Sequence, residues 1–173
     1  MAVMFRQSML LNGFLCNSEV LYGMTKSHIE TLESVDKYLW RNVFKCPFST
    51  PTEAFFIETD TIPIRFVIMK RRLMYYWNIL HMGENELVRK VFNIQKVDSC
   101  RNDWVIQINE ELEMCNIVQS EEELRTMKKY SFRRLVNKKV KEAATRYLMS
   151  LKEKHTKCDD IEPASGMKEY LKC

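Results

Sequence analysis

From Arg65 to Leu80 the chain reads RFVIMKRRLMYYWNIL, and apolar or aromatic residues fill nearly every position except Lys70-Arg71-Arg72. At helical spacing, Phe66, Met69, Leu73, Tyr76 and Leu80 form one stripe, and Ile64, Ile68, Tyr75 and Ile79 form a second. A helix apolar around most of its circumference has to be surrounded by other elements, so this segment predicts a central helix. Burying three cations in it is costly. Each must reach water or an acidic partner by way of its long aliphatic stem, and Glu53, Glu58 and Asp60 are the nearest acids before it in the chain.

The rest of the chain supplies the neighbours. It has 173 residues with only 4 Gly and 4 Pro, which favours long helices over the turn-rich alternation of a β fold. Helical periodicity runs through Met1–Leu21, imperfectly, with Phe5, Met9, Leu10, Phe14 and Leu15 as its apolar residues. A second helix with Thr25 as N-cap carries Ile29, Leu32, Val35, Leu39 and Val43 and ends at Cys46-Pro47, because the residue before proline avoids helical angles. The run STPTE predicts a capping box at Thr50 and Glu53 with Pro51 at the first helical position, and Pro63 repeats the proline start. His81-Met82-Gly83 closes the central helix. Helices follow around Leu87–Phe92 and from Asp103 to Met114, then a second capping box at Ser120 and Glu123. A long last helix capped by Ser131 carries Phe132, Leu135, Val136, Val140, Ala143, Tyr147, Leu148 and Leu151 in one stripe. The expected class is all-α, an irregular multi-helix bundle. A first helical region covers 1–95, a helical extension with a basic helix covers 96–157, and a loose polar tail covers 158–173.

Charge is uneven. Between Lys128 and Lys157 eleven Lys or Arg stand against Glu142 and Glu153, so that segment carries +9; with +4 for the whole chain, the remainder carries −5. Such asymmetry points to a polyanion surface at the C-terminal end, or to a solvated helix face. The apolar stripe of the last helix turns Arg133, Arg134, Lys138, Lys141 and Arg146 outward, making them the first candidates for contact with nucleic-acid phosphates. Lys70, Arg71 and Arg72 are the second group.

Catalytic chemistry finds little support. No glycine-rich phosphate loop occurs. His155 and Cys158 have a zinc-compatible spacing but are only two residues, so no metal site is expected. The adjacent Asp159-Asp160 could hold the metals of phosphoryl transfer, but polar flanks deny the pair rigid support, and a solvated loop is the expected reading. Six spread cysteines without a C-x-x-C pair, and no leader preceding them, read as reduced thiols of an intracellular protein. No apolar run approaches the ~20 residues of a membrane span. Neither a cofactor nor a small-molecule substrate is expected.

The order of the central signals resembles the C-terminal part of reverse transcriptases from non-LTR (LINE-like) retrotransposons. The matching positions are Leu21-Tyr22-Gly23, Leu32-Glu33, Arg41, Thr50-Pro51, Pro63 and Arg71-Arg72-Leu73. The likeness covers the first half of the chain; the later YSFRRLVNKKVKEAATRYLMSLKEKH is less specific. It implies that residues 1–95 are thumb-like helices that grip template and primer, packed in a full-length element against polymerase domains. The palm with its aspartate-pair turn, the fingers, an endonuclease and a zinc knuckle have no counterpart here. The resemblance therefore implies a remnant of an RNA-directed DNA polymerase without catalysis, retaining weak, sequence-independent affinity for RNA or DNA backbone. An all-helical protein–protein interaction module with a solvated basic face is the alternative.

Overall fold

A computed structural model describes residues 2–20, 24, 26–97 and 104–154. Among these residues all regular structure is helical: α1 (Ala2–Phe5), a π-helical segment (Arg6–Leu11), α2 (Asn12–Phe14), α3 (Lys26–Phe44), α4 (Thr52–Glu58), α5 (Ile64–Leu80), α6 (Leu87–Val97), α7 (Trp104–Met114), α8 (Glu121–Thr126) and α9 (Lys129–Lys154). The fold is all-α. No helix among the described residues is long and apolar enough to cross a membrane.

The central position expected of α5 is what the structure has. Phe66, Met69, Leu73, Tyr76, Ile79 and Leu80 enter the main core, with Phe92 of α6, Trp104 and Ile108 of α7, Leu124 of α8, and Phe132, Val136 and Val140 of α9. This core draws on both sides of the 95/96 division. From its first two turns α5 also offers Ile64 and Ile68 to a smaller cluster with Leu11 and Leu15. A third cluster joins Trp40 of α3, Phe55 and Phe56 of α4, and Leu148 of α9.

The imperfect periodicity of the first segment has a physical cause. Arg6, Leu11 and Leu15 are all buried. A five-residue step puts Arg6 and Leu11 on different faces of an α-helix, which turns once per 3.6 residues. The wider π turn, with its i→i+5 bonds, brings them back to one face. The expectation that Phe14 and Leu15 share an uncovered apolar surface holds for Phe14, 65% exposed, and fails for Leu15, which is 1% exposed.

Other boundaries differ from expectation. In α3, Val35 and Val43 are exposed, and the inward line is Glu33, Asp36 and Trp40. Two acids can point inward because Arg65 and Arg6 meet them. The box at Thr50 does not form: Pro51 is the N-cap of α4, with no side-chain cap bond. Pro63 likewise caps α5 from an extended ψ of 153° rather than entering it. The α9 helix starts two residues before Ser131. The box at Ser120 and Glu123 is complete, each side chain bonding the other's backbone N–H. Three helix ends use left-handed residues that are not glycine: Lys45 (φ 51°), Asp60 (φ 49°) and Asn116 (φ 51°). In each case the next N–H reaches back five residues, Cys46 to Arg41, Thr61 to Phe56 and Ile117 to Leu112, closing the helix with a Schellman turn. Thr25, Asp103, the His155/Cys158 pair, Asp159-Asp160 and the 158–173 tail lie outside the described residues.

Candidate nucleic-acid interface

Helix α9 packs Phe132, Val136, Val140, Ala143, Ala144 and Leu148 inward, and Arg133, Arg134, Lys138, Lys141 and Arg146 are all exposed. They do not form one patch. At about 100° per residue, Arg134, Lys138 and Lys141 share an arc of about 60°, while Arg133 and Arg146 stand about 110° to either side of it. The Arg146 guanidinium turns to the end of α7, donating to the Met114 carbonyl at 2.9 Å. That carbonyl belongs to the negative pole of the α7 dipole, which favours a cation. Arg146 thus acts as a helix cap, and the continuous outward patch is Arg134, Lys138 and Lys141.

The three consecutive cations of α5 have three different fates. Arg72 is buried and donates from Nη1 to Oε1 of Glu111 at 2.9 Å. Its charge is met inside the protein, so it is not available to a phosphate, contrary to its place among the candidates. Arg71 donates to the carbonyls of Leu11, at 3.0 Å, and Leu15, fixing the end of the N-terminal segment to α5. It serves the fold first. These partners, Leu11, Leu15 and Glu111, are not the acids expected to meet the triplet, Glu53, Glu58 and Asp60.

Lys70 is the exception. It is half-buried, and no carboxylate among the described residues forms an ion pair with it. Burial lowers its pKa from the ordinary lysine value, and the like charge of Arg133 lowers it further. It opens into a groove of about 420 Å³ between the N-terminal segment, α5 and α9, where Arg71, Asn137 and Lys141 are also found. Asp60 sits at the same groove and accepts a bond from Lys141 at 2.8 Å.

A second cavity, of about 650 Å³, lies among α3, α5, α7 and α9 with Phe66, Met69 and Met114 in its wall. Two of its lining arginines are paired with acids: Arg65 holds Glu33 through two bonds and lies 4.6 Å from the centre of the Tyr147 ring, and Arg72 holds Glu111. Burial pushes the Glu111 carboxyl up to about 7, against the lowering effect of Arg72. Among the described residues no group of three or more His, Cys, Asp or Glu could hold a metal ion.

The site residues that sequence reasoning missed are Asn137 and Glu111; Asp60 was expected to meet the Lys70-Arg71-Arg72 triplet and instead accepts from Lys141. Asn137 was legible, standing four residues from both Arg133 and Lys141 on one side of α9. The pairing of Asp60 with Lys141 and the role of Glu111 were not, because the partners lie 81 and 39 residues away. No protein-family model, curated protein or solved structure matches this chain.

Proposed function

We propose that this chain binds the phosphate backbone of RNA or DNA without sequence preference, as the thumb-like and downstream part of a retroelement reverse transcriptase that carries no polymerase activity of its own. The observation that carries the reading is the outward patch of Arg134, Lys138 and Lys141 on α9, backed by the +9 segment around it. Cations fixed outward by a buried stripe contact phosphates rather than base edges, which gives affinity with little sequence information. The motif order from Leu21-Tyr22-Gly23 to Arg71-Arg72-Leu73 supports the retroelement origin, and an intracellular location belongs to the same proposal.

Each phosphate neutralised on duplex DNA adds about 0.9 to the magnitude of the log-affinity against log-salt slope, so three to five contacts give about −3 to −4.5. Replacing Arg133, Arg134, Lys138 and Lys141 by Gln should flatten that slope on duplex DNA and RNA and leave helicity unchanged. An unchanged slope would reduce the basic face to a solvated surface. The second reading, a protein–protein interaction module, would then lead. It is favoured by Leu87, Val91 and Ile94, exposed along one side of α6.

A further inference from the structure

We infer that the groove between the N-terminal segment, α5 and α9 is a channel for the phosphates of a single nucleic-acid strand, anchored by Lys70; this rests on the nucleic-acid reading above and gives it a second, recessed site. One wall is on α9, where Asn137 and Lys141 stand four residues, about 6 Å, apart along the helix. Lys70 and Arg71 of α5 form the opposite wall. All four side chains carry hydrogen-bond donors, the chemistry that phosphate oxygens require.

Lys70 marks the groove as unfinished. Nearby cations are answered within the fold, Arg6 by Asp36, Arg71 by two carbonyls and Arg72 by Glu111. Lys70 instead is half out of water, with the like charge of Arg133 acting on it. A partly desolvated cation that feels a like charge is unfavourable, and an anion in the groove beside it relieves both penalties. On the α9 wall Asp60 already plays that part for Lys141. Both partners are more than half exposed, so their pair is worth little and a phosphate can displace it. Asp60 therefore competes with the strand for its own channel.

The test uses the full chain with ten-residue dT and U oligonucleotides and with inorganic tripolyphosphate, read by fluorescence anisotropy and calorimetry. Asp60→Asn keeps a side chain suited to the left-handed backbone at this position. It should tighten oligonucleotide binding about threefold at low salt and steepen the salt slope by about 0.7, one single-strand contact. Lys70→Gln should weaken binding at least about fivefold and flatten the slope by a similar 0.7, with Lys70→Arg retaining most of the affinity. If Lys70→Gln and Asp60→Asn leave binding unchanged while the four-residue α9 variant abolishes it, the channel is refuted and the outer-face reading stands. If tripolyphosphate binds in a Lys70-dependent way and the oligonucleotides do not, the strand assignment is refuted. If neither oligonucleotide nor duplex binds, both readings fall.

Discussion

Arg72 and Glu111 meet 2.9 Å apart where neither side chain is more than 11% exposed, and only one carboxylate oxygen takes part. Oε2 of Glu111 is buried with no hydrogen-bond partner. A carboxyl in that position favours its protonated form, and burial raises its pKa from 4.5 to about 7 in spite of the guanidinium beside it. The folded protein then binds this proton more tightly than the unfolded chain. The contribution of Glu111 to stability is therefore fully present below about pH 4.5 and is lost as pH rises through about 7.

Glu111→Gln removes that dependence, because the amide does not titrate. The stability of the variant relative to the parent should rise by up to about 3 kcal/mol between pH 4.5 and pH 7, whatever its offset at either end. Urea unfolding at several pH values measures the difference. A variant whose offset from the parent is the same at both ends would show that Arg72 holds the carboxylate ionised throughout.

The contrast between α5 and its charges shows what the sequence could reveal. Apolar residues around most of the helix dictate its central place whatever the neighbours are, so its position was legible. The Ser120–Glu123 box was legible because both halves lie within one turn, and the α9 stripe because more than five turns of periodicity outweigh local noise. Which of Lys70, Arg71 and Arg72 finds a partner depends on groups brought close by packing, Leu11, Leu15 and Glu111, and no local pattern encodes that. The ends of α3 and α7 were legible, at Cys46-Pro47 and at Met114, but the left-handed residues that close the helices were not: the usual signal is glycine, and here Lys45, Asp60 and Asn116 take that angle. At Thr50 the pattern was present and the geometry was not, because Pro51 took the cap position itself.

Arg6 and Asp36 form a buried junction with two parallel bonds. Nε and Nη2 of Arg6 donate to the two carboxylate oxygens at 2.7 and 2.6 Å, and Nη2 also reaches the Ile62 carbonyl at 2.9 Å. The guanidinium carbon lies 5.6 Å from the Trp40 ring centre and 5.7 Å from that of Phe56. Arg6→Met would strand a fully buried carboxylate and should cost about 3–5 kcal/mol, whereas Arg6→Met with Asp36→Leu should regain most of it. Arg6→Lys should behave like the single loss, because an ammonium cannot make the paired contact. Chemical unfolding of the three variants decides the matter. Equal stability of Arg6→Met and of Arg6→Met with Asp36→Leu would show that the Asp36 carboxylate carries no penalty when it loses its partner.

Helix α6 faces the opposite way from an ordinary amphipathic helix. Its inward residues are Arg89 and Phe92, and Leu87, Val91, Ile94 and Val97 are 76, 44, 66 and 90% exposed. Glu121 of α8 explains the orientation. It accepts a bond from Arg89 at 3.2 Å and another from Lys96, which stands seven residues, about two turns, further along the same side of α6. Phe92 beneath them stands 5.9 Å from Tyr76 and 6.4 Å from Trp104 in the main core. Rotating α6 to hide its apolar side would break both ion pairs and pull Phe92 out of the core, so the exposed stripe is fixed by the fold. Contiguous apolar surface of this kind binds hydrophobic dyes and promotes association. Replacing Leu87, Val91 and Ile94 by Gln should cut dye fluorescence by roughly half and reduce self-association in sedimentation. Stability should change by no more than about 0.5 kcal/mol per site, since these side chains leave no cavity behind. Phe14→Gln, on the N-terminal segment, serves as the comparison, because Phe14 is also 65% exposed. If that single change removes most of the dye signal and the α6 triple does not, the adhesive surface lies on the N-terminal segment, and the stripe on α6 is ordinary exposed surface.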